Sequence, residues 1–316
     1  MRVCYIVSSS FSGSTLLSFM LNAHPDIGTI SEFDNMEAIV SDPNYLCSCG
    51  EKLRTCQFFR RLSERMLAAD QPFAVDDMQL MCFLNNNERV NRLLMGKLPK
   101  MQSNFMEGLR DIFVRSIPSL RNKLKKCHAR TDIFMRSVLA LCNASVFLDA
   151  TKDPYRMLFL TERHDVHAIY LFKNGVAGAY SYMKAAAKEG NPITMLEAGT
   201  RWFEEQITIL RALKKLPAER QLRVSYSSLC RNPQEIVSQI HLLLGLPQAS
   251  IEKFWEAPHH IVGNQMRLSQ FSEIKEREDW KDNLSGADIS DYRRLYERYI
   301  DQLEALFPGI SSDIWK

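Results

Sequence analysis

The sequence predicts an α/β fold, a parallel β-sheet of about five strands flanked by helices. Three observations predict it. Four short apolar runs, rich in β-branched and aromatic residues, are each followed by a helical pattern. The first run opens into a small-residue loop and then a helix, which is the first half of a βαβ unit. The composition, 46% hydrophobic and 24% charged over 316 residues, is that of an ordinary globular chain. It excludes a disordered chain, a collagen-like fibre and a coiled coil.

The elements follow in order. Arg2 to Ser8 is apolar enough for a strand covered on both faces. Ser9 to Gly13 is mostly small and polar. Ser14 to Ala23 places Leu16, Leu17, Met20 and Leu21 at helical spacing. His24-Pro25 ends that helix, because the residue before proline is pushed out of the helical region. Ile27 to Ile30 supplies a fifth strand. The stretch 57–143 is helix-rich and divided at Pro99 and Pro118. It reads as a helical insertion and the expected region of substrate recognition.

Ser145 to Leu148 is the next strand, leading into Asp149-Ala-Thr-Lys-Asp-Pro154. Val166 to Phe172 leads into Lys173-Asn-Gly175 and a helix to Lys188. Leu222 to Ser225 leads into Tyr226-Ser-Ser-Leu229 and a helix from Pro233 to Leu244. The segment 257–287 is polar and irregular, and a helix from Asp288 to Leu306 closes the chain. One domain over 1–316 is expected, with no internal repeat.

Charge narrows the partners. Lysine plus arginine is 40 and aspartate plus glutamate 37, a net +3 with both signs scattered, so no nucleic-acid surface is expected. A local basic pocket for a small anion remains compatible. The uncharged stretch from Val3 to Pro25 is broken by Ser8, Ser9, Ser10, Ser12, Ser14, Thr15, Ser18, Asn22 and His24, unlike a membrane span. Its one continuous apolar run, Val3 to Val7, is too short for a signal peptide core. A cytoplasmic protein without a membrane anchor is expected. Eight cysteines spread along so long a chain do not form a disulfide scaffold.

Ser8-Ser-Ser-Phe-Ser-Gly-Ser-Thr15 occupies the place of a phosphate loop. The start of the following helix would present backbone N–H groups to an anion, and Ser12, Ser14 and Thr15 add hydroxyls. Against the Walker pattern G-x-x-x-x-G-K-[ST], only Gly13 and Thr15 match, and Ser14 stands where the lysine belongs. That absence argues against ordinary ATP or GTP chemistry. A serine-capped helix without a ligand is the alternative.

Five segments in register carry a family likeness. Ser12-Gly-Ser-Thr-Leu-Leu17 with Ala23-His-Pro-Asp26 resembles the 5′-phosphosulfate loop of the sulfotransferases that use 3′-phosphoadenosine 5′-phosphosulfate (PAPS). Asp149 to Pro154 resembles the family's Lys-Asp-Pro segment. Tyr170 to Gly175, with Ser181 eight residues after Lys173, is similar to the 3′-phosphate motif. Arg223-Val-Ser-Tyr226 with Leu229 and Pro233 is similar to the Tyr-x-x-Leu…Pro element. His260 to Asn264 with Arg267, then Trp280, resembles the closing segment. The likeness covers about residues 1–285 and lies nearer the carbohydrate, tyrosyl-protein and bacterial branches.

The resemblance implies a P-loop-like sulfotransferase fold and transfer of a sulfuryl group from PAPS to a hydroxyl or amine, giving PAP (EC 2.8.2 type). It implies no required metal. Ser12, Gly13, Ser14 and Thr15 would hold the 5′-phosphosulfate, and Lys173 and Ser181 the 3′-phosphate. Tyr226 would bind a phosphate or pack on adenine, unless it is a core tyrosine. Arg267 would reach the phosphates, unless it is a surface arginine. Lys152 would be the cation at the bridging oxygen. Glu32 would be the general base, with His24 and His260 as rivals. Two departures stand out: Phe11 replaces the usual basic residue before Ser12, and Lys173 replaces an arginine, keeping the charge but losing the bidentate fork.

The acceptor classes open to such an enzyme are a glycan, a lipid, a peptide tyrosine or a small metabolite. The competing functions are a P-loop small-molecule kinase and a non-catalytic protein that binds PAP or another nucleotide on the same fold. Cys47-x-Cys49-Gly…Cys56 is a partial zinc pattern. Structural zinc takes four ligands, and the sequence offers no clear fourth, Cys82 being the nearest thiol. Buried or paired thiols are therefore expected, and no metal. Similar segments in sulfotransferase-like bacterial proteins fit a local structural unit.

Overall fold

In the computed structural model, residues 1–32, 42–73, 87–94, 104–268 and 274–314 are described. Five strands, β1 (Arg2–Val7), β2 (Ile27–Ser31), β3 (Val146–Lys152), β4 (Asp165–Phe172) and β5 (Gln221–Ser225), form one parallel sheet in the order β2-β3-β1-β4-β5. Val3 to Val7 of β1 are wholly buried, as a strand covered by helices on both faces must be. β1 pairs with β4 from Arg2–Asp165 to Val7–Tyr170, and β4 with β5 from Ala168–Gln221 to Phe172–Ser225. This parallel register brings the segments after Val7, Phe172 and Ser225 to one edge of the sheet, its carboxyl edge. Ligands of open α/β sheets bind there.

The sequence places β3 over Ser145 to Leu148, whereas the strand runs on to Lys152. The reason is Asp149. Its carboxylate lies inside the strand, wholly buried, and pairs with the Arg156 Nε at 2.7 Å. Its other oxygen accepts the Thr151 N–H at 3.0 Å. A partnered carboxylate can occupy an interior strand position that an isolated one cannot. Lys152 is therefore the last residue of the strand rather than a loop residue after it.

The chain divides into two compact units. The first comprises Met1–His24, Leu148–Ala257 and Ser269–Lys316. In it, β1 leads to α1 (Ser14–Asn22). Helix α2 (Gly175–Lys188) follows β4 and packs on α3 (Met195–Leu213), a helix the sequence reading did not single out. The start of α3 carries a capping box, Thr194 with Glu197, which marks a helix start. Contact between α2 and α3 is close because Gly178 lacks a side chain; a Cβ there would lie 2.5 Å from the buried Trp202 Nε1.

The second unit comprises Pro25–Phe147 and Pro258–Leu268. The expected helical stretch is present as helices at Gln57–Ala68, Glu88–Leu94, Asn104–Ser116 and Pro118–Cys142. Phe58, Phe59, Leu62 and Met66 share the buried side of the first of these, the spacing of an amphipathic helix. Phe134 joins Phe73 and Phe147 in the core, with ring centroids 5.7 and 6.4 Å apart. Among the described residues, no helix is long and apolar enough to cross a membrane.

Candidate active site

The loop after β1 begins with Ser8, whose hydroxyl is buried and has no hydrogen-bond partner among the described residues. Ser9 and Ser12 hydroxyls meet at 2.9 Å. The backbone then turns through two left-handed residues, Phe11 at φ 63° and Gly13 at φ 91°. Gly13 is the N-cap of α1, no side chain caps the helix, and no acidic residue occupies its first turn. Ser14 and Thr15 are the first buried residues of the helix. A helix start without a capping side chain, carrying the positive end of the dipole, suits an anion.

This loop is held from outside. The Ser10 N–H donates to the Tyr182 phenol oxygen at 3.1 Å, and the Tyr182 hydroxyl donates to Glu205. Arg201 pairs with Glu205 at 3.1 Å and lies 4.6 Å above the Tyr182 ring. Phe11 meets the same ring edge-on, centroids 5.4 Å apart. Tyr182 and Glu205 escaped the sequence reading, although Tyr182 directly follows Ser181 in the 3′-phosphate motif. Phe11 thus has an aromatic partner, not a charged role.

Four of the expected nucleotide residues converge in this unit. The Tyr226 ring packs directly on Gly13, so that a Cβ there would stand 2.5 Å from Cδ2. The Lys173 ammonium also lies by that ring, 5.4 Å from its centroid. Lys173 Nζ donates to Ser181 Oγ at 3.2 Å, and that hydroxyl donates to the Ala177 carbonyl at 2.7 Å. Asn174, not Ser181, caps α2, its Oδ1 accepting from Val176 and Ala177 N–H at 3.0 and 3.2 Å. That leaves Ser181 for Lys173. Burial lowers the Lys173 pKa from the ordinary lysine value, and the nearby Asp279 opposes this. A cation held against desolvation gains from an anionic ligand.

Lys152 ends β3 in a left-handed conformation, φ 72°. Asp153 next to it caps the following helix by accepting the Tyr155 N–H at 2.8 Å, and its carbonyl accepts the Tyr5 hydroxyl of β1 at 2.7 Å. His24 is buried with its ring nitrogen 3.0 Å from the Pro247 carbonyl and its ring against His241. Those contacts suit a structural histidine.

Glu32 and Arg267 belong to the second unit. Glu32 is buried, and its side chain lies against Gly263, 3.1 Å from where a Cβ would be. The Arg267 guanidinium is buried over the Tyr45 ring at 3.8 Å, donating to the Leu46 carbonyl at 2.8 Å and the Gly263 carbonyl at 2.7 Å. It is an internal clamp, not a surface arginine. Cys47, Cys49 and Cys56 of this unit meet His260, the fourth polar group that the sequence pattern lacked. Cys82 lies outside the described residues.

No family profile and no curated protein matches the chain. Solved structures do. The sulfotransferase domain of the Synechococcus PCC 7002 olefin synthase is 16% identical at a TM-score of 0.52, the match covering 95% of this chain and 94% of that one. The sulfotransferase domain from the curacin biosynthetic pathway is 17% identical at a TM-score of 0.50, covering 94% and 96%. The chain thus has the sulfotransferase fold.

Proposed function

We propose that the protein is a PAPS-dependent sulfotransferase that passes a sulfuryl group to a hydroxyl or amine, releasing PAP. The convergence of Gly13, Tyr226, Lys173 and Ser181 carries this reading. It sets an anion-ready helix start beside a desolvated lysine and its serine, two places for the two phosphate-bearing ends of one nucleotide. The buried Ser8 hydroxyl and the half-buried Lys173 ammonium both fit an anionic ligand.

The fold likeness supports a transferase, and the residues supply the chemistry. Ser12, Ser14, Thr15 and the α1 N-terminus would hold the sulfate-bearing end of the donor. Lys173 and Ser181 would hold the 3′-phosphate, while the Tyr226 ring, fixed on Gly13, shapes the floor. In the transfer a bond forms between the acceptor oxygen or nitrogen and sulfur, and the bond from sulfur to the bridging oxygen breaks. Negative charge gathers on that bridging oxygen, so catalysis rests on positioning and on fixed positive charge. Lys152, at the carboxyl edge of the sheet, is assigned to that oxygen. Glu32 is assigned to take the acceptor proton. Arg267, whose guanidinium is engaged by two carbonyls, supports its own loop. The helical stretch 57–143 is assigned to the acceptor, and neither nucleic acid nor a membrane is a proposed partner. None of the seven described cysteines is in a disulfide, which supports a reducing, cytoplasmic setting.

The test is binding of PAP. Free PAP at 100 times its dissociation constant should stabilise the protein by about 2.7 kcal/mol, and immobilised PAP should retain it. A response to ATP without one to PAP overturns the reading and favours a kinase. One observation favours a binding-only protein: Phe11 puts an aromatic ring where the family has a cation. PAP binding without sulfate release to any acceptor class would establish that second reading.

A further inference from the structure

We propose that Cys47, Cys49, Cys56 and His260 form a structural zinc site. The four ligand atoms all lie within 4.8 Å of one another. Cys49 Sγ and Cys56 Sγ are 3.7 Å apart. His260 Nδ1 lies 3.5 Å from Cys56 Sγ and 3.8 Å from Cys47 Sγ. Zinc binds sulfur at about 2.3 Å and imidazole nitrogen at about 2.0–2.1 Å in a tetrahedron. The edges of that tetrahedron are then about 3.8 Å between sulfurs and about 3.6 Å from sulfur to nitrogen. All three separations lie within about 0.2 Å of those edges. A disulfide needs its sulfurs about 2.05 Å apart, and one disulfide would not explain three thiols gathered with one imidazole.

The backbone builds this cage for its own reasons. Leu46 bridges Lys52 in antiparallel fashion. Cys47 N–H donates to the Glu51 carbonyl, and Gly50 N–H to the Cys47 carbonyl, both at 2.9 Å. Gly50 takes φ 88°, which glycine adopts without strain. The turn brings the Cys47 and Cys49 sulfurs together with that of Cys56 and the His260 ring. Cys56 is the N-cap of the Gln57–Ala68 helix.

His260 arrives from the far segment, Pro258–Leu268, and Ser48 holds it there. Ser48 N–H donates to the Ile261 carbonyl at 3.2 Å. Its hydroxyl donates to the His259 carbonyl at 2.9 Å and accepts the Ile261 N–H at 2.8 Å. Phe58 stacks on the His260 ring at 4.5 Å and 9°. Four protein ligands close the coordination sphere, which marks a structural rather than a catalytic site. Three thiolates with one imidazole suit zinc over the hard, oxygen-seeking cations. Exposed Cys49 gives the ion access. The site would pin the Pro258–Leu268 segment, with the Gly263 that packs on Glu32, to the turn at Cys47. It does not depend on the proposed transfer activity.

Metal analysis of the purified full-length protein tests this directly, whatever its activity. About one zinc per chain is expected. After chelation and reloading with cobalt, the protein should show the strong visible absorption of tetrahedral cobalt and a thiolate charge-transfer band. Cys56→Ser and His260→Ala should each lose the zinc or bind it far more weakly. Wild-type protein purified without zinc or with iron in its place overturns the proposal. So does zinc that survives unchanged in the Cys47→Ser/Cys56→Ser double variant.

Discussion

The Tyr226 ring rests on the bare backbone of Gly13, closer than any side chain at that position would permit. Gly13 also holds φ 91° at the start of α1. Two independent requirements, space and handedness, therefore select glycine. Gly13→Ala should cost about 1–2 kcal/mol in left-handed strain, and about 1–3 kcal/mol more from overpacking against the ring. Thermal unfolding should show the loss, and PAP should no longer raise the melting temperature. Unchanged stabilisation by PAP would remove the loop from the nucleotide site.

Lys173 carries an opposite trade. Burial lowers its pKa below the ordinary lysine value. In the window between the lowered and the ordinary value, the unfolded chain binds a proton that the folded one does not. Folding stability without ligand should therefore rise with pH through that alkaline window. Lys173→Met should be at least as stable as wild type near neutral pH, with that pH dependence flattened, yet fail to respond to PAP. Lys173→Arg should keep the PAP response. A Lys173→Met protein still stabilised by PAP would contradict the assignment.

Lys152 and Glu32 should separate chemistry from binding. Lys152→Ala should lower kcat roughly 10²- to 10³-fold, the effect of removing one stabilising partner of transition-state charge. Glu32→Gln should lower it roughly 10²- to 10⁴-fold, as loss of a general base does. Both variants should bind PAP as wild type does, measured by calorimetry. Transfer unchanged in Lys152→Ala would place the bridging cation elsewhere.

The Asp149–Arg156 pair is a stability prediction. Arg156→Met leaves a wholly buried carboxylate without its cation and should cost about 3–5 kcal/mol, read from chemical denaturation. The double replacement Asp149→Leu/Arg156→Met should recover much of that loss, because neither charge is then left unpaired.

The parts legible in the sequence were those set by local pattern. β1 and most of β4 showed themselves because strands covered on both faces are apolar along their length, whereas β5, an edge strand in which Val224 is the one buried residue, was legible from a short apolar run with a helix after it. Ser12 to Thr15, Lys173, Ser181 and Tyr226 were named from the family resemblance of the segments that follow such strands. The last half of β3 was hidden by Asp149, whose partner lies seven residues on in another element. Tyr182 binds the loop and Glu205 binds Tyr182 from a separate helix, and their spacing carries no signal of its own.

By itself the sequence determined the α/β class, the strand–loop–helix opening and the chemistry available at the strand ends, because periodicity and turn chemistry act over a few residues. Only the tertiary structure decided which groups meet. It set Tyr226 on Gly13 and beside Lys173. It engaged Arg267 with two carbonyls in its own unit. It also brought His260 to Cys47 across 213 positions of chain. Contacts that distant arise from packing of whole elements, and no local pattern in the chain encodes them.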